Sequence, residues 1–279
     1  MIARKDERLS WQSLAEDHEI STTRGLSFYR NTFENNHAKY RYHDTVCPRR
    51  ASVSPFGLID DLTDCPTFEA EFFSFHSTVR AASDELMAEG RELLKRPMEL
   101  YSHAFEYSKK HPSLEAELAA FVKGRTMFES SIALLKKHRW WPLYFLGNWS
   151  PHSYLQQTPI AWQIAQEVVR TSHYVFEVSF LRLEPGGRLA PHVDLHNGLI
   201  NYFVVIDCEE NAAALQVDDQ VKTLEPRDSF GFDNTFRHSA WNNGSKPRMV
   251  FSALVRHPLL TLEEAREIKM LEDYLGELK

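Results

Sequence analysis

The chain has 279 residues, 43% of them hydrophobic and 12% aromatic, which is enough to bury a sizeable core. A formal charge of −7 argues against the basic face of a nucleic-acid binder. No apolar run reaches bilayer-spanning length, the N-terminal stretch lacks a signal-peptide core, and Cys47, Cys65 and Cys208 lack any CxxC pairing, which together lead us to expect a reducing, cytoplasmic setting.

Residues 1–65 are polar, rich in Arg, Asn, Asp and His, and follow neither the helical nor the strand period. They read as loop, or as an arm that wraps a core or closes over a site; Tyr40-Arg41-Tyr42-His43 and Pro48-Arg49-Arg50 belong to this stretch. From about Thr67 the pattern turns helical. Val79, Ala82, Leu86, Leu93 and Leu94 fall on one helix face, and Pro97 ends the run. A second helix is expected after Ser113, with Leu114, Leu118, Phe121, Val122, Phe128, Ile132 and Leu135 on its apolar face. These helices should pack on the outside of a sheet. Lys136-Lys137-His138-Arg139 suits a helix C-terminus, and the aromatics of Trp140–Phe145 should enter the core.

Leu146–Gln157 reads as a loop and Ile160–Arg170 as a short helix. Strand patterns follow. Tyr174, Phe176, Val178 and Phe180 alternate with Val175, Glu177, Ser179 and Leu181, as in a strand covered on both faces. Pro185-Gly186-Gly187 makes a turn, and Leu199–Asp207 is the next strand. Ala213–Val217 and Gln220–Leu224 form a hairpin about Asp218-Asp219, although the turn has no glycine. Ser229–Phe232 and Arg248–Arg256 complete the set. Thr261-Leu262-Glu263-Glu264 is a capping box opening a helix through Leu278.

Short strands in one block after a helical block indicate an α+β chain with a barrel-like or jelly-roll sheet. No repeat, low-complexity tract or linker divides it. The expectation is a single domain over 1–279: a mainly helical region with an irregular arm (1–140), a β core (141–260) and a C-terminal helix (261–279).

The chemistry concentrates between Pro191 and His257. Pro191-His192-Val193-Asp194 follows the Pro-Gly-Gly turn, His238 follows Asp233-Asn234-Thr235-Phe236-Arg237, and Arg248 begins an otherwise apolar strand. On a strand His192 and Asp194 share a face and can share a metal ion. Two imidazoles and a carboxylate form the facial ligand set of non-heme Fe(II) oxygenases, leaving positions for a 2-oxo acid and O2. An HxD pattern alone is weak among 13 histidines; the ordered set is stronger. A buried arginine needs an anion, and that anion is either a bound dicarboxylate or an internal Asp or Glu. His196 is a rival ligand, as in sites with two closely spaced histidines, but Asn197-Gly198 reads as a turn and puts it outside the metal's shell. The alternative for Asp194 is a supporting carboxylate that holds an imidazole by its N–H.

The segments PGGRLAPHVD, FGFDNTFRHSAWNNG and RMVFSALVRHP resemble the aspartyl/asparaginyl β-hydroxylase family of Fe(II)/2-oxoglutarate-dependent dioxygenases, over about Trp141 to Leu260. The resemblance implies a double-stranded β-helix that hydroxylates unactivated C–H bonds. It implies His192 and His238 as metal ligands and Arg248 as the 2-oxoglutarate anchor. Asp194 completes the triad, although some relatives lack this carboxylate. Where the family often has Arg-x-His, this chain reads Asn201-Tyr202-Phe203, so Asn201 and Ser252 are the expected helpers of Arg248. The substrate expected is a small amino-acid-like metabolite or a peptide, with no nucleic-acid or membrane partner. The alternatives are desaturation or cyclisation at the same site, or a cupin-like metal-binding protein without oxygenase activity.

Overall fold

The computed structural model describes residues 10–34, 39–40, 46–95, 139–146 and 158–277. The helix expected over 113–135, residues Arg41–His43, the loop residues 147–157 and the side chains of Trp140–Phe145 lie outside the described residues.

The strands form two antiparallel sheets whose inner faces close on each other. The larger has six strands in the order β3 (Thr67–Glu69), β10 (Ser229–Phe232), β7 (Leu199–Asp207), β12 (Arg248–Arg256), β5 (Val175–Leu183) and β4 (Trp140–Leu146). The smaller has four: β6 (Arg188–His192), β11 (His238–Asn242), β8 (Ala213–Val217) and β9 (Gln220–Thr223). From β5 to β12 the chain passes from sheet to sheet, apart from the β8–β9 hairpin, which is the winding of a double-stranded β-helix. A two-stranded parallel pair, β1 (Lys39–Tyr40) and β2 (Ser52–Val53), stands apart.

Strand alternation sorts the side chains into two cores. On β7, Ile200, Tyr202, Val204 and Ile206 face outward, while Phe203 and Val205 face the second sheet. On β12, Met249, Phe251, Ala253 and Val255 face outward and Val250 inward. The outward core is covered by α3 (His76–Ala81), α4 (Ser83–Leu94) and α5 (Pro159–Thr171), through Val79, Leu86, Leu93, Ile164 and Val168. Gly90 lets α4 approach β7: a Cβ there would lie 2.4 Å from Ile206.

Several expectations change. Thr67 opens a strand rather than a helix. Thr67–Glu69 pairs with β10 and adds an edge to the larger sheet, and a 3-10 turn over Ala70–Phe72 precedes α3 at His76. The β core therefore reaches back beyond residue 141. Trp140–Leu146 is itself an edge strand, where Pro142, lacking an N–H, is tolerated. The stretch read as loop or arm contains α1 (Trp11–Asp17) and α2 (Thr23–Glu34). They pack Leu14, Ala15, Phe28 and Tyr29 against Ile268, Leu271 and Leu275 of the C-terminal helix α6 (Leu262–Glu277). The buried face of α2 also holds Gly25, Ser27, Asn31 and Thr32, small or polar residues that hide the helical period. Glu267 of α6 accepts from the Ser21 and Thr22 amides at 2.7 and 3.1 Å, fixing the start of α2.

Other expectations hold locally. The Thr261 amide donates to Glu264 at 2.8 Å and the Glu264 amide to Thr261 Oγ1 at 3.2 Å, completing the capping box. Asp218 takes the left-handed conformation that the β8–β9 turn requires (φ 53°), and Gly186 does so in the Pro-Gly-Gly turn (φ 73°). The three cysteines are free thiols. Among the described residues no helix is long and apolar enough to cross a membrane.

Candidate metal centre

His192 closes β6 and His238 opens β11, and the two positions pair directly across the smaller sheet. Their ring centroids lie 4.1 Å apart. The strand ends at His192, so Asp194 does not share a strand face with it as expected. Two other contacts keep both side chains on one side. Val193 is buried in the opposite direction against Ala51 and Val53, and the Asp194 amide donates to the Asn234 carbonyl at 2.8 Å. Immediately afterwards Leu195 takes a left-handed conformation (φ 42°), a strained position for a branched side chain.

Both imidazoles are oriented by backbone. His192 Nδ1 lies 2.7 Å from the Ala190 carbonyl, and His238 Nδ1 lies 2.9 Å from the Phe236 carbonyl. A carbonyl can only accept, so Nδ1 carries the proton in each ring and Nε2 keeps the lone pair. The two Nε2 atoms stand 3.6 and 3.5 Å from Asp194 Oδ2, and the three donor atoms lie within 4.8 Å of one another. Donors at adjacent corners of an octahedron with bonds of about 2.1 Å are about 3 Å apart, so a small contraction would bring all three onto one ion.

The ligand-bearing loops are held by part of the stretch expected to be a loop or a wrapping arm. The Ala51 amide donates to Thr235 O at 2.9 Å, the Val53 amide to Leu195 O at 2.6 Å, and the Arg237 amide to Arg49 O at 2.7 Å. Arg49 grips Asp218 through Nε and Nη2 at 2.7 and 2.6 Å, and Arg50 lies over the Phe236 ring. Residues 49–53 thus bridge the loop before His238 and the loop after His192.

The triad opens into a cavity of about 330 Å³ that is also lined by Arg248, Ser252, Asn201, Asn234 and Glu177. All six expected site residues, His192, Asp194, His238, Arg248, Asn201 and Ser252, therefore meet in one space. Arg248 is 2% exposed, and its Nε and Nη1 have no hydrogen-bond partner among the described residues. The internal Asp or Glu that would neutralise it is absent there. Burial lowers its pKa to about 10, still far enough above neutrality to keep the cation at pH 7. Ser252 Oγ and Asn234 Oδ1 are likewise buried and unpartnered. Orphaned buried polar atoms of this kind are costly and mark a place for a polar ligand.

His196 is elsewhere. Its Nδ1 accepts from the Gly198 amide at 3.1 Å and its Nε2–H donates to Glu272 at 2.9 Å, the pattern of a neutral ring. Arg256 holds the same carboxylate with two bonds, at 2.7 and 3.1 Å. Glu177 was not singled out from the sequence. Burial, then the nearby Asp194 carboxylate, raises its pKa to about 7. Its signal was available: it is the acidic residue of an apolar strand, as Arg248 is the basic residue of another.

Fold and site together define a double-stranded β-helix protein with a 2-His-1-carboxylate constellation at one end of the barrel. The chain belongs to the aspartyl/asparaginyl beta-hydroxylase family, whose profile matches residues 108–258. It is 23% identical over 157 residues to an ornithine lipid ester-linked acyl 2-hydroxylase of Rhizobium tropici, covering 53% of this chain and 54% of that protein. It is 24% identical over 92 residues to the human aspartyl/asparaginyl beta-hydroxylase, covering 33% of this chain and 12% of the human protein. The chain thus spans about half, or far less, of these relatives' lengths. Among solved structures, the cupin domain of Schizosaccharomyces pombe Cnp3 aligns with 32% of this chain and 60% of its own, at 13% identity and a TM-score of 0.27.

Proposed function

We propose that the protein is an Fe(II)/2-oxoglutarate-dependent hydroxylase acting on a C–H bond of a small amino-acid-like metabolite or peptide. One observation carries this reading: a buried arginine, two of whose nitrogens have no hydrogen-bond partner among the described residues, shares a cavity with a His-Asp-His triad. A metal site alone would suit many proteins of this fold. A fixed cation at a distance from the metal adds a demand for an anionic ligand long enough to reach both.

His192, Asp194 and His238 would hold Fe(II), Asp194 offsetting part of the charge that two neutral imidazoles leave untouched. Arg248 would take the far carboxylate of 2-oxoglutarate with its planar fork. Ser252, on the same strand face, and Asn201, on the neighbouring strand, can add hydrogen bonds to that ligand. Phe203, Leu215 and Phe232 also line the cavity and exclude water around it. When bound, iron with 2-oxoglutarate supplies the activation of O2 that turns C–H into C–OH with release of succinate and CO2. The chain's own part is ligation, orientation and a dry surround.

The test is consumption of 2-oxoglutarate with formation of succinate, dependent on added Fe(II), across a panel of free amino acids and peptides. A product heavier by one oxygen supports hydroxylation, and one lighter by two hydrogens points to desaturation or cyclisation. A protein that binds metal but never yields succinate is a cupin-like binding protein instead.

A further inference from the structure

The hydroxylase reading leaves one ionisable group of the cavity without a task, Glu177. The register of β5 against β12 runs Leu254 opposite Glu177 and then Val255 opposite Val175, so Phe176 is an extra residue and the strand bulges. The bulge breaks the alternation, and Phe176 and Glu177 both line the cavity. Bulges beside sites re-aim side chains in this way. Arg248 and Leu254 stand at opposite ends of β12, and Glu177 pairs with the Leu254 end. The cavity therefore has a cationic pole at Arg248 and an anionic pole at Glu177.

We propose that Glu177, beside the Phe176 ring, recognises an ammonium or guanidinium group on the substrate and so restricts the enzyme to cationic substrates. The proposal deepens the hydroxylase reading and rests on it for the reaction performed. A divalent metal, Asp194, a doubly charged 2-oxo acid and Arg248 are together neutral, which leaves Glu177 as the uncompensated charge of the loaded site. Among the described residues no hydrogen bond or ion pair engages its carboxylate. Burial and the Asp194 carboxylate both disfavour its ionised form, and a cation beside it would reverse that. An aromatic side chain at the same end adds a surface that cations favour.

The test compares the parent with Glu177→Gln, a substitution of nearly equal shape, by calorimetric titration of protein loaded with Mn(II) and 2-oxoglutarate. The probes are L-arginine, L-lysine and L-ornithine, with L-citrulline and L-norleucine as neutral counterparts. The parent is expected to hold at least one cationic probe roughly tenfold or more above its counterpart, the worth of a charge-assisted contact. The variant should lose that preference while keeping its melting temperature and its affinity for Mn(II) and 2-oxoglutarate, and Glu177→Asp should restore part of it. Undiminished preference in Glu177→Gln, equal binding of neutral probes by the parent, or no binding of any cationic probe overturns the proposal. The metal and 2-oxoglutarate titrations are read separately. Their failure would sink the oxygenase reading, and the cation comparison would then be made on the metal-free protein.

Discussion

The amide of Val53 donates to the carbonyl of Leu195 across 2.6 Å, which ties the N-terminal region to the residue next to Asp194. Val53→Pro removes that donor. The Asp194 loop then loses one of its two backbone supports, and the affinity for Mn(II) or Co(II) should fall roughly tenfold or more, the usual worth of a group that orients a ligand. Val46→Ala, at a side chain 76% exposed, should change nothing. Calorimetric metal titration of the two variants checks the contrast.

Asp194→Gly distinguishes a metal ligand from a supporting carboxylate. A ligand predicts a loss of Fe(II) affinity of roughly 100-fold or more, above the range of supporting groups, with an extra coordination position open to water or halide. Binding and turnover at the parent level would leave the two histidines as the protein's metal ligands.

Arg248 sets stability against function. An unpaired buried cation destabilises the protein that carries it, so Arg248→Met should raise the melting temperature of the metal-free protein while abolishing 2-oxoglutarate binding. Arg248→Lys keeps the charge and loses the fork; it should weaken 2-oxoglutarate and spare the metal. Thermal melts with and without 2-oxoglutarate report both effects. Unchanged 2-oxoglutarate affinity in the lysine variant would move the anchor to Asn201.

Glu272 gives a signed pH dependence. Burial alone would raise its carboxyl, but Arg256 and the bond from His196 outweigh it and hold the pKa at about 2. A carboxyl depressed in the folded state stabilises fully above its unfolded value, near 4.5. That stability, on the order of 3 kcal/mol, is lost as pH falls from there toward about 2. Glu272→Gln should therefore be less stable at pH 7 and show a flatter loss between pH 4.5 and 2. Urea midpoints measured across that window decide it.

The β core was legible because its residues obey simple rules. The covered strands β5, β7 and β12 are almost continuously apolar, turns fall at Pro185-Gly186-Gly187 and Asp218, and the two histidines of the triad sit at strand ends, His192 closing β6 and His238 opening β11. The N-terminal region was not legible. Most of the buried face of α2 is Gly, Ser, Asn and Thr, whose burial is made favourable by partners distant in sequence: Asn31 donates to Leu58 O at 2.8 Å, and Thr32 accepts from the Gly57 amide at 3.0 Å. The bridging role of 49–53 is likewise carried by main-chain groups, which every residue possesses. Arg248 could be singled out, but whether its anion was internal could be asked only once its neighbours were in place.

Residues 49–53 leave the ribosome well before the loops they brace, for Arg50 and its contact Thr235 are 185 positions apart. Closing so long a loop is slow and entropically costly, and it comes after the local helices and hairpins have formed. Metal uptake should then be a late reporter of folding. In refolding from urea, the signal of bound Co(II) is expected to lag behind the recovery of secondary structure, and in Val53→Pro the lag should lengthen.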